Sequence, residues 1–185
     1  KAGYTEDWRR VVTEAGAEFE LNLAPLYTFP ASKLMVVKHE LNDKNQLETS
    51  DGSSIPLGAP LEEGETALIT LTFDKTTPVT EITHEPFHRE TIVVSPDLKE
   101  VLEQQSLSFL AGADFTYQLE VQVFDDDKFI GGYSGNWTLP FADLETANQL
   151  IMYVATNEDA SESEVIELLT NIGIVSKSVP LPEMK

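Results

Sequence analysis

The sequence predicts an α+β, mainly β fold: a β-sandwich-like domain with short peripheral helices near the N-terminus, in the middle and near the C-terminus. Roughly seven or eight short segments alternate apolar and polar residues with the period of two that a half-buried strand requires. Turn formers separate them, and helical spacing of apolar residues is confined to the two ends and one short central stretch. With 185 residues, 41% of them apolar, the chain can bury a core without a staple. No repeat or composition break divides it. The expected organisation is one domain, residues 1–185, with a helix at 5–16, a β-rich core at 18–140 holding a short helix near 96–105, C-terminal helices at 143–173 and a frayed tail at 180–185.

Thr5 can cap the first helix, and Trp8, Val11, Val12 and Ala15 recur on one of its faces. From Glu18 the period drops to two, with Phe19, Leu21 and Leu23 on one side. Pro25 and Pro30 bracket an expected irregular link before a strand from Leu34 to Leu41. Asn42 to Gly64 is polar and rich in Pro and Gly, a long loop that is either a functional excursion or hides an edge strand near Ser54-Ile55. Ala67, Ile69, Leu71 and Phe73 mark a strand, and weaker β segments follow at Val79 to Thr83 and Glu90 to Val94. Ser95 as cap, Pro96 in the first turn and Asp97 at the positive dipole end start the short middle helix.

The clearest alternation runs from Phe115 to Phe124. Asp125-Asp126-Asp127-Lys128 then turns the chain into a second strand, Phe129 to Leu139, making a hairpin. Asp143 is expected to cap a helix carrying Leu144, Ala147, Ile151 and Val154. Ser161 with Glu164 forms a capping box ahead of Val165, Leu168, Leu169 and Ile172. Gly173 stands where a helix-ending glycine would, Ile174-Val175 suggest a last strand, and Pro180 and Pro182 mark the tail.

The charge is the strongest global feature: 32 acidic against 12 basic residues, a net −20. Phosphate-backbone binding needs clustered cations, so nucleic acid is disfavoured, as are anionic membrane surfaces. The apolar runs are too short to span a bilayer. The absence of cysteine excludes disulfides, thiolate metal sites and cysteine nucleophiles. A first residue Lys1 suits a cleaved leader and a trimmed chain equally and decides nothing about the setting, for which secreted or periplasmic is slightly favoured over cytoplasmic.

Three constellations bear on chemistry. His84-Glu85-Pro86-Phe87-His88 matches H-E-x-x-H, in which two histidines one helical turn apart bind zinc. Pro86 and the β-type flanks oppose the helix this pattern needs, and a surface loop is expected instead. Asp125 and Asp127 are hard-oxygen donors at a tight turn and form a candidate calcium site, though an EF-hand's glycine and final glutamate are missing. Finally, Phe129 to Trp137 interleaves aromatics with Gly131, Gly132 and Gly135, a composition that signals close approach by another backbone or a ligand. If they face outward, Tyr133 and Trp137 with Asn136 would form a binding platform; facing inward, they are core aromatics over glycine gaps.

No nucleophile elbow or phosphate-binding glycine loop is present. The functional expectation is therefore a non-catalytic binding or assembly protein that recognises a protein or glycan through an exposed loop or sheet edge. It needs no cofactor, with calcium the one candidate, and self-association is compatible with it. The alternatives are a metal-dependent hydrolase built on His84, Glu85 and His88, and an acidic inhibitor or immunity-type protein that meets a basic partner.

Overall fold

Residues 24–42, 47, 58–76, 84 and 86–185 are described by a computed structural model of the chain. The expected helix at 5–16, the strand from Glu18, the edge strand near Ser54-Ile55 and the segment 79–83 lie outside them.

Alternation builds the centre of the molecule. β7 (Phe115–Asp125) buries Tyr117, Leu119, Val121 and Val123 and leaves Thr116, Gln118 and Glu120 exposed. A two-residue turn, Asp126-Asp127, joins it to the antiparallel β8 (Lys128–Leu139). Asp126 takes a left-handed backbone, φ 49°, which an aspartate in a tight turn tolerates. On its other side β7 pairs with β4 (Glu65–Phe73), whose Ala67, Ile69 and Leu71 join the same interior. β4 in turn pairs with β5 (His88–Val94).

The rest of the large sheet comes from β2 (Leu34–Glu40), β3 (Ala59–Pro60) and β9 (Leu150–Thr156), in the order β3-β2-β9-β8-β7-β4-β5. β2 and β9 run parallel, whereas β9 meets β8 antiparallel, at Gly131 and Gly132. A separate antiparallel ribbon, β1 (Leu26–Pro30) with β6 (Ser106–Leu110), packs on the interior face. Its Phe109 meets Tyr117 and Trp137 edge-on, with ring centroids 6.0 and 6.4 Å apart. The helices are short: α1 (Lys99–Leu102), α2 (Phe141–Thr146) and the longer α3 (Glu162–Val175). The fold is thus mostly β with a few short helices.

The large sheet curls. Lys38 on β2 forms an ion pair with Glu65 on β4, although β9, β8 and β7 stand between those strands in the sheet order. The two ends of the sheet are thereby brought toward each other, and β5 approaches β2.

Four expectations need correction. The helix expected from Asp143 through Val154 is two elements: α2 starts after Pro140 and ends at Thr146, and Leu150–Thr156 is a strand. β9 has neighbours on both edges and is buried at all but one of its residues, so its apolar run carries no alternation to separate strand from helix. The 180–185 tail does not fray, because β10 (Glu183–Met184) pairs with β9 and the Lys185 carbonyl accepts from Asn148 and Gln149 N–H at 2.6 and 2.9 Å. The link between Pro25 and Pro30 is β1, Leu26–Pro30, with Pro25 just before the strand and Pro30 its last residue, where a missing donor costs least. Gly173 does not end α3, nor are Ile174-Val175 a strand, since the helix runs to Val175.

α3 begins as expected, with the Glu164 carboxylate accepting from the Ser161 N–H at 2.7 Å. Its C-terminal end covers β8 beyond the point where β9 departs. There the Ser134 N–H donates to Ser176 Oγ (2.8 Å), and that hydroxyl donates to the Ile172 carbonyl (2.6 Å). An edge donor left open by β9 is so satisfied by a side chain.

Candidate functional site

The glycine-aromatic strand resolves first. Tyr133 and Trp137 are buried, at 4% and 3% exposure, on the interior face of β8, while Asn136 points outward and is exposed. The outward platform of Tyr133, Asn136 and Trp137 is therefore not formed: alternation along the strand separates the asparagine from the two aromatics, which pack on the core. The glycines do answer a close approach, and the approaching group is another backbone. A Cβ on Gly131, whose φ is +154°, would sit 2.1 Å from the Ala155 carbonyl oxygen of β9, and one on Gly132 would sit 2.0 Å from that of Val121. The β7–β8 register also shifts between Val123 and Phe124, a bulge that leaves Ile130 as the extra residue.

Asp125 and Asp127 are exposed at the hairpin tip. Among the described residues they do not join a third carboxylate or imidazole in a group able to hold a metal ion. The Asp126 N–H donates to the Gly64 carbonyl at 3.3 Å, so the turn is tied to the start of β4. In the H-E-x-x-H segment, Glu85 lies outside the described residues. His84 is exposed with φ 58°, and His88 already belongs to β5, buried, with Nε2 donating to the Ser108 carbonyl at 3.0 Å. His84, with its left-handed φ, and His88, in β5, therefore do not stand one turn apart on a helix as zinc-binding histidines of this pattern do.

Two features that the sequence reading did not single out are prominent. The first is a buried charge cluster. Lys38 is 5% and Glu65 also 5% exposed. Lys38 Nζ donates to Glu65 and, at 2.6 Å, to Glu158 Oε1, while Glu65 Oε2 accepts from the Glu62 N–H, also at 2.6 Å. Burial pulls the Lys38 ammonium down, but hydrogen bonds and charge from Glu158 and Glu65 more than reverse this, leaving its pKa above the usual 10.5. Lys128 Nζ donates to the Glu158 carbonyl at 2.6 Å and fixes that loop to the hairpin. The cluster acts as a clasp holding β2 against β4.

The second feature is the seam where the curled sheet does not close. A groove of about 560 Å³ runs between β2 and β5, walled by Leu34, Met35 and Val36 on one side and by Val94, Ser95 and Leu102 on the other. Three consecutive residues of one strand can line a groove only if it runs along the strand's edge, since successive side chains leave by opposite faces. Among the described residues, β3 pairs with β2 only at Val37 and Lys38, leaving the outer edge of Leu34 to Val36 without a strand. Among the described residues β5 likewise pairs with β4 alone. The chain leaves β2 because Pro60 lacks a donor and the next residues turn, with the Glu65 N–H donating to the Glu62 carbonyl at 3.1 Å. One end of the groove is bridged by the Gly64 N–H donating to Asp97 Oδ2 at 2.9 Å.

This is an apolar trough flanked by main-chain donors and acceptors. Such a groove offers mostly apolar side chains together with a strand edge of β2 that has no strand partner at Leu34 to Val36 among the described residues. No described helix is long and apolar enough to cross a membrane. No protein-family model, curated protein or solved structure matches the chain.

Proposed function

We propose that this chain is a non-catalytic recognition or assembly module that takes an extended segment of a partner protein along the seam of its sheet. The observation that carries the reading is the groove along an edge of β2 that lacks a strand partner among the described residues, with Leu34, Met35 and Val36 lining it in succession and Val94, the last residue of β5, on the opposite wall. Such an edge satisfies a guest strand's backbone, and the apolar wall takes its alternate side chains. In this reading the β1–β6 ribbon is the second layer of a sandwich-like scaffold. It fills the interior through Phe109, so the accessible apolar space lies at the seam and not at the centre. A polypeptide is favoured over a glycan because the aromatic pair that would stack on a sugar, Tyr133 and Trp137, is buried.

The test uses peptides selected on the immobilised chain from a display library of random sequences. Met35→Asn with Leu61→Asn makes the groove polar at two half-buried positions without introducing charge. With far-UV circular dichroism and the thermal midpoint preserved, the selected peptides should bind the double variant about tenfold or more weakly. Peptides that bind it as tightly as the unaltered chain would refute the reading.

A further inference from the structure

We infer that the segment accepted at the seam is cationic: an extended peptide whose apolar residues alternate along the groove and whose flanks carry Lys or Arg. This rests on the seam being the recognition site, and adds the chemistry of the partner.

The inference follows from what borders the trough. Glu103 lines it, and Glu62 and Glu63 follow directly on the lining residue Leu61. Asp97 follows the lining residue Pro96 and is held at the groove's end by the Gly64 N–H. All four carboxylates are exposed. Against them stand Lys99, which is exposed on the wall, and Lys33, whose Nζ lies 5.9 Å from the centre of the Phe29 ring. Glu62, Glu63 and Asp97 gather at the end that Gly64 bridges, and Glu103 stands on the wall just past α1. Apart from Lys99 and Glu103, the lining is uncharged and mostly apolar. An anionic or acid-flanked segment would bring like charges together at that end and at Glu103, whereas Lys or Arg flanks meet carboxylates while their stems extend over the apolar wall. The whole-chain charge of −20 acts in the same direction at long range, steering cationic chains toward the surface and repelling anionic ones.

The experiment is the same display selection, scored for charge and repeated on two charge-reversed chains. In one, Glu62→Lys, Glu63→Lys and Glu103→Lys reverse the rim. In the other, Glu120→Lys, Glu145→Lys and Glu167→Lys make an equal change in net charge at exposed positions outside the groove's lining. Peptides enriched on the unaltered chain should be rich in Lys and Arg around an alternating apolar core. Reversal at the rim should weaken them about tenfold or more, and the distant reversal by no more than about threefold, since exposed charges more than a Debye length away are largely screened. Their association rate should fall as salt is raised. Seam-dependent peptides of neutral or acidic composition, or equal losses in the two reversed chains, would overturn the cationic assignment and leave the seam itself standing. Cationic peptides indifferent to Met35→Asn with Leu61→Asn would overturn both. A concentration-dependent dimer abolished by that same double variant would assign the seam to a second copy of this chain. Peptide affinity that rises when residues 43–57 are replaced by a short Gly-Ser linker would assign it to the chain's own loop. Either result would overturn the proposal.

Discussion

Substituting Lys38 tests the curl that creates the seam, because its ion pair with Glu65 joins strands that three others separate. Lys38→Met leaves the Glu65 side chain, 6% exposed, with the Glu62 N–H as its remaining hydrogen-bond donor. Stranding a buried charge in this way costs about 3–5 kcal/mol, a large part of the 5–15 or so kcal/mol that holds a typical domain folded. Glu65→Leu should cost less, about 2–3 kcal/mol, since Lys38 keeps Glu158. Glu158→Gln, at a side chain 49% exposed, should cost no more than about 1 kcal/mol. Combining Lys38→Met with Glu65→Leu removes both charges, so the double variant should be more stable than the sum of the single losses implies, by about 2–3 kcal/mol. Urea unfolding of the four chains, read at constant m-value, supplies the coupling. A coupling near zero would mean that the two side chains do not meet and that the sheet does not close on itself as described.

Other consequences follow from single residues. Burial pushes the Tyr117 phenol up to about 12, against a partial offset from the Leu110 N–H that donates to it. Stability from this group is complete below pH 10 and declines as pH rises toward 12, by roughly 3 kcal/mol in all; Tyr117→Phe should flatten that stretch of a pH-dependent unfolding curve. Lys38, also raised, adds to alkaline destabilisation above its ordinary value of 10.5, and Lys38→Met should remove that part of the slope. Gly131→Ala places a Cβ against the β9 backbone at a φ that favours glycine and should cost about 3 kcal/mol or more, with a lower thermal midpoint as the readout. Ser176→Ala deprives the Ser134 N–H of its acceptor and should cost about 1–2 kcal/mol, with faster exchange of that amide.

Much of the fold was legible where burial is one-sided. β7, β8 and β4 write their inner faces as Tyr117-Leu119-Val121-Val123, Tyr133 and Trp137, and Ala67-Ile69-Leu71, and the alternation located each of them. It failed at β9, where Leu150 to Thr156 is buried on both faces and the helical spacing of Leu144, Ala147, Ile151 and Val154 arose by coincidence. β6 did carry a signal, Leu107 and Phe109 between serines, but the segment is short and its partner β1 hides between two prolines. The glycine run was rightly a mark of close approach, and the identity of the approaching group depended on a pairing between β8 and β9 that no local pattern records.

The seam was less legible still. It is made of residues 34–36, 60–61 and 94–103, which nothing in the linear order connects, and it exists because the sheet curls. One signal was available: Lys38 follows the apolar run Leu34 to Val37 in β2, and a lysine at a buried position needs carboxylate partners. The sequence holds so many acids that Glu65 and Glu158 could not be picked out as its partners. The same abundance made the rim of Glu62, Glu63, Asp97 and Glu103 invisible until the groove placed them together.

The most direct test is amide hydrogen exchange on the chain with and without a seam-selected peptide. Guest-strand pairing predicts slower exchange at outward-facing amides among Met35, Val36 and Val94, the groove-lining strand residues whose N–H is not already held by Ala31 as that of Leu34 is, with the amides of β7 and β8 unaltered. Unchanged exchange along both edges at saturating peptide would contradict it.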